Sequence, residues 1–219
     1  MMISLRETPE QKVYVTADPH LNHAGPVSNP VWKSRGYANV KSYTDDWFRI
    51  TNELVRPNDI LIVIGDYCLN TTIEQFEECL ARTLCQNIYM LLGNHANPHY
   101  KKVYIPLVKS YLGESYIDGM ELYPLRYKNI IYVGQYLEAV LNGHMFIISH
   151  FPFLIWDHMQ HGAICLTGHS HSSCKYTNSK GTYGRILDCG WDEFKKPLSI
   201  IEVMDIVNNK VYHPLDHHL

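Results

Sequence analysis

The chain has 219 residues, and no stretch of it is apolar for the roughly 18 residues that a bilayer-spanning helix needs. No membrane partner is therefore expected. Basic charge is not in excess either. Lys and Arg number 19 against 22 Asp and Glu, a formal net charge of -3, which gives no global footprint for a nucleic-acid backbone. Paired cysteines are also missing. The six cysteines (68, 79, 85, 165, 174 and 189) are scattered with no Cys-x-x-Cys, which argues against a disulfide framework and for a reducing compartment. Met1 to Gln11 is polar and carries Arg6, Glu7 and Glu10 where a signal peptide would have an apolar core, so the expected location is cytoplasmic. No repeat, low-complexity tract or linker interrupts the chain, and one domain over residues 1–219 is expected. What the chain does have is 46% hydrophobic residues, enough for a substantial core, and 13 histidines whose grouping matters more than their number.

The first half alternates between two periodicities. Lys12 to Ala17 reads as a strand rich in β-branched and aromatic residues, running into Asp18-Pro19-His20. A long loop over Leu21 to Ser42 follows, with Trp32, Arg35 and Tyr37 in it. Thr44 or Asp45 caps a predicted helix through Trp47, Phe48, Ile50, Leu54 and Val55. The continuous apolar run Ile60 to Ile64 suits a parallel strand buried on both faces, and it ends in Gly65-Asp66. Thr71-Thr72 opens a second predicted helix, Ile73 to Leu84, before the strand Ile88 to Leu92 and Gly93-Asn94-His95. Strand, helix, strand, helix, strand is the α/β pattern, in which ligands sit at the carboxyl ends of the strands.

The second half changes character after a weakly helical segment, Pro98 to Leu112. Short strands are predicted at 116–117, 121–127, 130–133, 137–141, 145–148 and 163–167, with closing strands at 183–187 and 198–203. Asn142-Gly143 is a strong hairpin turn. The half reads mainly as a β meander, and the whole as an α/β fold of two packed sheets with outer helices.

Polar clusters stand at five strand ends: Asp18-x-His20, Gly65-Asp66, Gly93-Asn94-His95, Ser149-His150 and Gly168-His169-x-His171. A lone Asp after a strand is usually a turn or cap residue, and a lone His is usually a satisfied surface or core group. Five such clusters on the same kind of edge point instead to a shared site. Two divalent ions about 3.5–4 Å apart need a shared ligand. A carboxylate with two oxygens supplies one, and Asp66 is the natural bridge. Imidazoles and carboxylates suit borderline ions such as manganese, iron, nickel or zinc, and manganese is the first expectation. Asn94 offers a neutral oxygen, which limits the negative charge facing an anionic substrate.

At these residues the chain resembles the calcineurin-like metallophosphoesterases, whose motif set runs Asp-x-His, Gly-Asp, Gly-Asn-His-Asp/Glu, His and Gly-His-x-His. The match spans residues 13 to 171. The small bacterial and phage branch is similar in Asp18-x-His20-x-x-His23, Pro57-Asn58-Asp59, Ser149-His150-Phe151-Pro152, the late stretch 187–192, and Lys196-Pro197-Leu198-Ser199. The resemblance implies a four-layer α-β-β-α sandwich, two mixed sheets flanked by helices. It implies one ion on Asp18, His20, Asp66 and His171, and a second on Asp66, Asn94, His150 and His169. His95 would contact the phosphate and protonate the leaving oxygen, while a hydroxide bridging the ions attacks phosphorus. The implied substrate is a small phosphomonoester or phosphodiester, with nucleotides among the candidates. A nuclease or a non-catalytic scaffold of the same fold is the alternative. The first is disfavoured by the lack of basic character, the second by the complete ligand set.

The chain departs from the family at Ala96, where an acid usually follows Gly-Asn-His, so the motif does not say what orients His95. Asp188 and Asp192 are late carboxylates that the sequence does not place. His23 is either a phosphate-facing or ligand-supporting group or a solvated loop residue. Phe151 to Trp156 either walls the cleft, stacking a base, or packs under a loop. His99, Lys101 and Lys102 read as a solvated helix face ahead of a guide for an anionic substrate, His158 and His161 as surface residues with His161 within reach of the site as the alternative, and His213, His217 and His218 as a polar tail. Sixteen tyrosines identify no partner and no oligomeric state.

Overall fold

Strand β3, Ile60–Ile64, is apolar at every position because each of its faces enters a different core. Ile60, Ile62 and Ile64 join one core, while Leu61 and Val63 join another on the opposite side, the period-2 consequence of the pleat. The computed structural model describes residues 2–23, 30–69, 71–95, 120–125, 128–179 and 181–212. In it β3 lies inside a six-stranded sheet of order β12 (Leu198–Ser199), β2 (Val13–Ala17), β3, β4 (Asn87–Leu91), β6 (Lys128–Val133) and β5 (Met120–Leu125). The four central strands are parallel and the two edge strands antiparallel to them.

A second sheet has the order β1 (Met2–Leu5), β7 (Tyr136–Leu141), β8 (His144–Ser149), β9 (Ile164–Thr167) and β11 (Ile186–Asp188). Only its β7–β8 pair is antiparallel. Strands β10 (Gly181–Thr182) and β13 (Val211–Tyr212) form a separate ribbon.

The main core is the space between the sheets, where Ile62 and Ile64 meet residues such as Leu137, Ala139, Phe146, Ile148 and Leu166. The outer face of the six-stranded sheet is covered by α2 (Val40–Leu54) and α3 (Ile73–Arg82), through Trp47, Phe48, Phe76 and Leu80. Both helices begin with reciprocal capping boxes, Asn39 with Ser42 and Thr72 with Gln75, which satisfy backbone N–H groups that no helical carbonyl reaches. The outer face of the second sheet packs on Trp156 and Met159. This is an α/β architecture of two mixed sheets flanked by helices. Among the described residues no helix is long and apolar enough to cross a membrane.

Several elements differ from expectation. The predicted strand 198–203 is a two-residue strand that turns into helix α6, Ile200–Asn208; the remaining short helices are α1 (Val31–Ser34), α4 (Lys175–Asn178) and α5 (Trp191–Phe194). The reason for α6 is local. Ser199 and Glu202 form a capping box, and Ile200, Val203 and Val207 recur at helical spacing on a buried face. The loop 21–42 contains α1 and the start of α2, which Asn39 caps rather than Thr44 or Asp45. Thr44 is instead buried inside α2. The polar N-terminal segment contributes β1, which pairs in parallel with β7. The second half is a meander only in its hairpins, since β9 pairs in parallel with both β8 and β11. The β7–β8 turn is as read: Asn142 and Gly143 both have positive φ, 51° and 83°, as a type I′ turn requires. The predicted helix 98–112 and strand 116–117 lie outside the described residues.

One stitch brings the two sheets together at their carboxyl ends. The Ala17 N–H at the end of β2 donates to the Cys189 carbonyl at 3.0 Å, and the Cys189 N–H donates to the Thr167 carbonyl at the end of β9 at 2.8 Å.

Candidate metal centre

The five polar strand ends converge at this stitched edge. His20 Nε2 lies 3.1 Å from His171 Nε2 and 3.8 Å from both Asp18 Oδ1 and Asp66 Oδ2. His150 Nε2 lies 3.4 Å from Asp66 Oδ2 and 2.7 Å from Asn94 Oδ1. The same Asn94 oxygen is 2.9 Å from His169 Nδ1. Potential ligand atoms of Asp18, His20 and His171, and of Asp18, Asp66 and His150, lie within 4.8 Å of one another. All seven residues named as ligands from the sequence are thus brought together, in two groups adjoining Asp66. Asp18 lies close to both groups, where the sequence had placed it with one.

The backbone explains why glycines punctuate these motifs. Gly65 has φ +81°, and a Cβ there would meet His150 Nδ1 at 2.2 Å. A Cβ on Gly93 would lie 1.9 Å from Asp66 Oδ1. Neither position admits a side chain without displacing a candidate ligand. The ligands themselves are also unusual. Asp18, His20, Asp66, His169 and His171 all have φ between 47° and 65°. Left-handed backbone at a residue other than glycine costs on the order of 1 kcal/mol or more, and it persists where surrounding contacts over-determine it.

The electrostatics call for a cation. Asp18 is fully buried, and burial pushes its carboxyl up to about 8 against the lowering influence of His171, with Asp188 and Asp66 adding to the rise. Asp18 Oδ1 and His20 Nδ1 are buried without a hydrogen-bond partner. Burial drives His20 far below the usual imidazole range, and His150 below it as well, so both are neutral and offer lone pairs. His150 Nδ1 lies 3.1 Å from the Ile64 carbonyl, to which it donates, leaving Nε2 free to bind. His20 Nε2, a neutral nitrogen facing that of His171 at 3.1 Å beside buried carboxylates that form no ion pair with any Lys or Arg among the described residues, offers its lone pair to divalent ions. The residues present fit such ions.

His95 and His23 flank this centre. The His95 N–H donates to Asp66 Oδ1 at 2.9 Å, and its exposed ring lies edge-on to His20 at 5.7 Å. Ala96, the departure noted in the sequence, lies outside the described residues, as do His99, Lys101, Lys102, His213, His217 and His218. His23 is buried rather than solvated, 6.2 Å from the His20 ring, with its Nδ1 unpartnered; burial lowers its pKa, helped by His95 and Arg35. The stretch 151–156 divides between its two readings. Trp156 is buried under the second sheet and donates to the Ala163 carbonyl, whereas Phe151 is 37% exposed with its ring 4.6 Å from His169. His158 and His161 are exposed and face each other at 5.9 Å.

Three residues that the sequence did not assign also belong here. Asp188 Oδ1 accepts from the Gly190 N–H at 2.8 Å, and its other oxygen accepts from the Ser170 hydroxyl, pinning the His169-Ser170-His171 loop. Asp192 Oδ2 lies 2.8 Å from His171 Nδ1. Burial raises the Asp192 carboxyl, but hydrogen bonds from His171 and Arg35 more than offset this and hold it well below the usual range. Arg35 pairs with both Asp192 oxygens, at 3.0 and 2.5 Å. No spacing rule links positions 35, 171 and 192, so the sequence had no signal for this group.

Comparison with known proteins follows the same lines. The family model "Calcineurin-like phosphoesterase" matches residues 11–184. The chain is 28% identical over 85 residues to the uncharacterized protein MJ1445 of Methanocaldococcus jannaschii, covering 39% of this chain and 47% of that protein. The match thus spans about half the length of that relative. The crystal structure of the protein of unknown function AQ665 from Aquifex aeolicus superposes with a TM-score of 0.57 over 89% of this chain and 98% of the other, at 16% identity. At that identity the likeness is one of fold.

Proposed function

The chain belongs to the calcineurin-like phosphoesterase family, and from that premise we propose that it hydrolyses a small phosphomonoester or phosphodiester at a centre of two divalent ions. The observation that carries the proposal is the meeting of two Asp/His groups at one strand-end edge, sharing Asp18 and with Asp66 Oδ2 at 3.8 Å from His20 Nε2 and 3.4 Å from His150 Nε2. Asp18, His20, Asp66 and His171 would hold one ion, and Asp66, Asn94, His150 and His169 the other, with manganese the first candidate and iron, nickel or zinc the others. Bound there, two such ions would neutralise phosphate oxygens and lower the pKa of a water.

The protein's own contribution is positional. Asp66 keeps the two groups in register and fixes the turn at His95 through the backbone bond to Oδ1. Asn94 adds a ligand without adding charge. His95, exposed beside His20, would supply the proton that a leaving oxygen needs. Buried His23, with its free Nδ1, supports a role in holding the phosphate. Phe151, exposed and in contact with His169, offers a flat apolar surface beside the centre, which supports an ester with an aromatic group such as a nucleotide.

Purified protein with manganese is expected to hydrolyse p-nitrophenyl phosphate or bis-p-nitrophenyl phosphate, and Asp66→Asn to abolish turnover and lower metal content. If neither ester turns over with manganese, iron, nickel or zinc, the enzymatic reading fails.

A further inference from the structure

We propose that Arg35 and Asp192 are positioning residues for the first ion site: together they set the ring tautomer of His171 and the backbone placement of Asp18 and His20. The inference rests on the metal-centre reading above.

Arg35 follows α1, on the loop side of the molecule, yet its side chain is buried to 7% exposure and every direction of its guanidinium is used. Nε and Nη2 grip the two oxygens of Asp192 as a fork. Nη2 also donates to the Asp18 carbonyl at 2.8 Å, and Nη1 donates to the Pro19 carbonyl at 3.0 Å and to the Tyr43 hydroxyl. The Tyr43 hydroxyl in turn donates to the Pro19 carbonyl. These carbonyls lie within Asp18-Pro19-His20, whose two outer residues have φ of 52° and 50°. A surface ion pair would need none of these backbone contacts. Here one cation clamps the strained segment that presents two ligands.

The other half of the device is the shared oxygen. Asp192 Oδ2 is bonded by Arg35 and lies 2.8 Å from His171 Nδ1. A carboxylate held by a guanidinium can only accept, so the neutral His171 ring carries its proton on Nδ1 and keeps the lone pair on Nε2. That Nε2 is the nitrogen facing His20 Nε2 at 3.1 Å, inside the candidate site. A carboxylate behind a ligating histidine fixes tautomer and orientation and raises basicity, and its loss typically costs 10–100-fold in metal affinity. Arg35 thereby reaches three of the four ligands of one site, two through the backbone and one through Asp192. Lysine cannot substitute, since an ammonium lacks the fork that holds both carboxylate oxygens.

Two measurements test this. In ¹⁵N-histidine-labelled, metal-free protein, NMR should place the His171 proton on Nδ1. Read at a pH where the ring is uncharged, a His171 proton on Nε2 instead of Nδ1 in the unmutated chain overturns the proposal without any variant. Titration calorimetry with manganese should then show binding weakened 10–100-fold in Asp192→Asn and in Arg35→Lys, with activity recovering as manganese is raised and with Asp192→Glu retaining most of the affinity. Affinity and tautomer unchanged in both variants would overturn it. Should Asp192→Asn fail to fold, Arg35→Lys carries the test alone. A wild-type protein that binds no divalent ion would instead sink the underlying metal reading.

Discussion

His95 illustrates how much one residue's backbone and side chain can differ in role. Its N–H supports Asp66 Oδ1, and any residue at position 95 except proline supplies that bond. Its imidazole stands exposed beside His20 without entering either ligand group. Removing only the ring should therefore leave the ions in place and take away a proton donor. For His95→Ala we expect metal content by elemental analysis to match the wild type while kcat falls about 10²–10⁴-fold, the usual worth of general acid catalysis. A variant that loses an ion would show that the ring is a ligand. The same scale separates Asn94 from its neighbours. It is the one ligand candidate without charge or titration, and its oxygen lies 2.7 and 2.9 Å from two imidazole nitrogens.

Among the elements, α6 shows local chemistry overruling a pattern. Leu198 to Val203 is apolar and β-branched enough to read as a strand, but the cap at Ser199 commits the chain to a helix after two strand residues. Glu202 accepts from the Ser199 N–H at 2.8 Å while Ser199 Oγ accepts from the Glu202 N–H at 3.2 Å. Ile200, Val203 and Val207 then seal the end of the inter-sheet core beside β2. Ser199→Ala should cost about 1 kcal/mol and lower the melting temperature by about 2–4 °C. Turnover at saturating manganese should not change, because the helix meets the core and not the ligands. A large loss of turnover in a folded Ser199→Ala protein would mean that α6 holds the site more directly.

At the scale of the whole molecule, the sandwich closes around a concentration of buried carboxylate. Asp18 and Asp66 are 0% and 3% exposed, and among the described residues no Lys or Arg forms an ion pair with either. Metal binding should therefore contribute to folding stability as well as to chemistry. Stripping the protein with a chelator should lower its melting temperature by about 5–10 °C, equivalent to losing roughly 3 kcal/mol of linkage at metal concentrations a hundredfold above Kd. Adding manganese back should restore it. A melting curve indifferent to chelator and manganese would argue that the centre folds without ions.

The sequence by itself determined the alternation of strands and helices in the first half, the hairpin at Asn142-Gly143, and the identity of the residues that meet at the strand ends. Those features depend on periodicity, on turn residues that accept positive φ, and on close approaches that exclude a Cβ at Gly65 and Gly93, all of which leave marks in neighbouring positions. Only the tertiary structure decided the rest. The parallel pairing of β1 with β7 and of β9 with β8 and β11 joins segments whose partners no local pattern names. The Arg35–Asp192–His171 chain spans 157 positions and depends on the stitch that draws β2, β9 and the Cys189-Gly190 turn to one edge. A side chain's residue type can be read one position at a time. Its partners exist only once the two sheets have closed on each other.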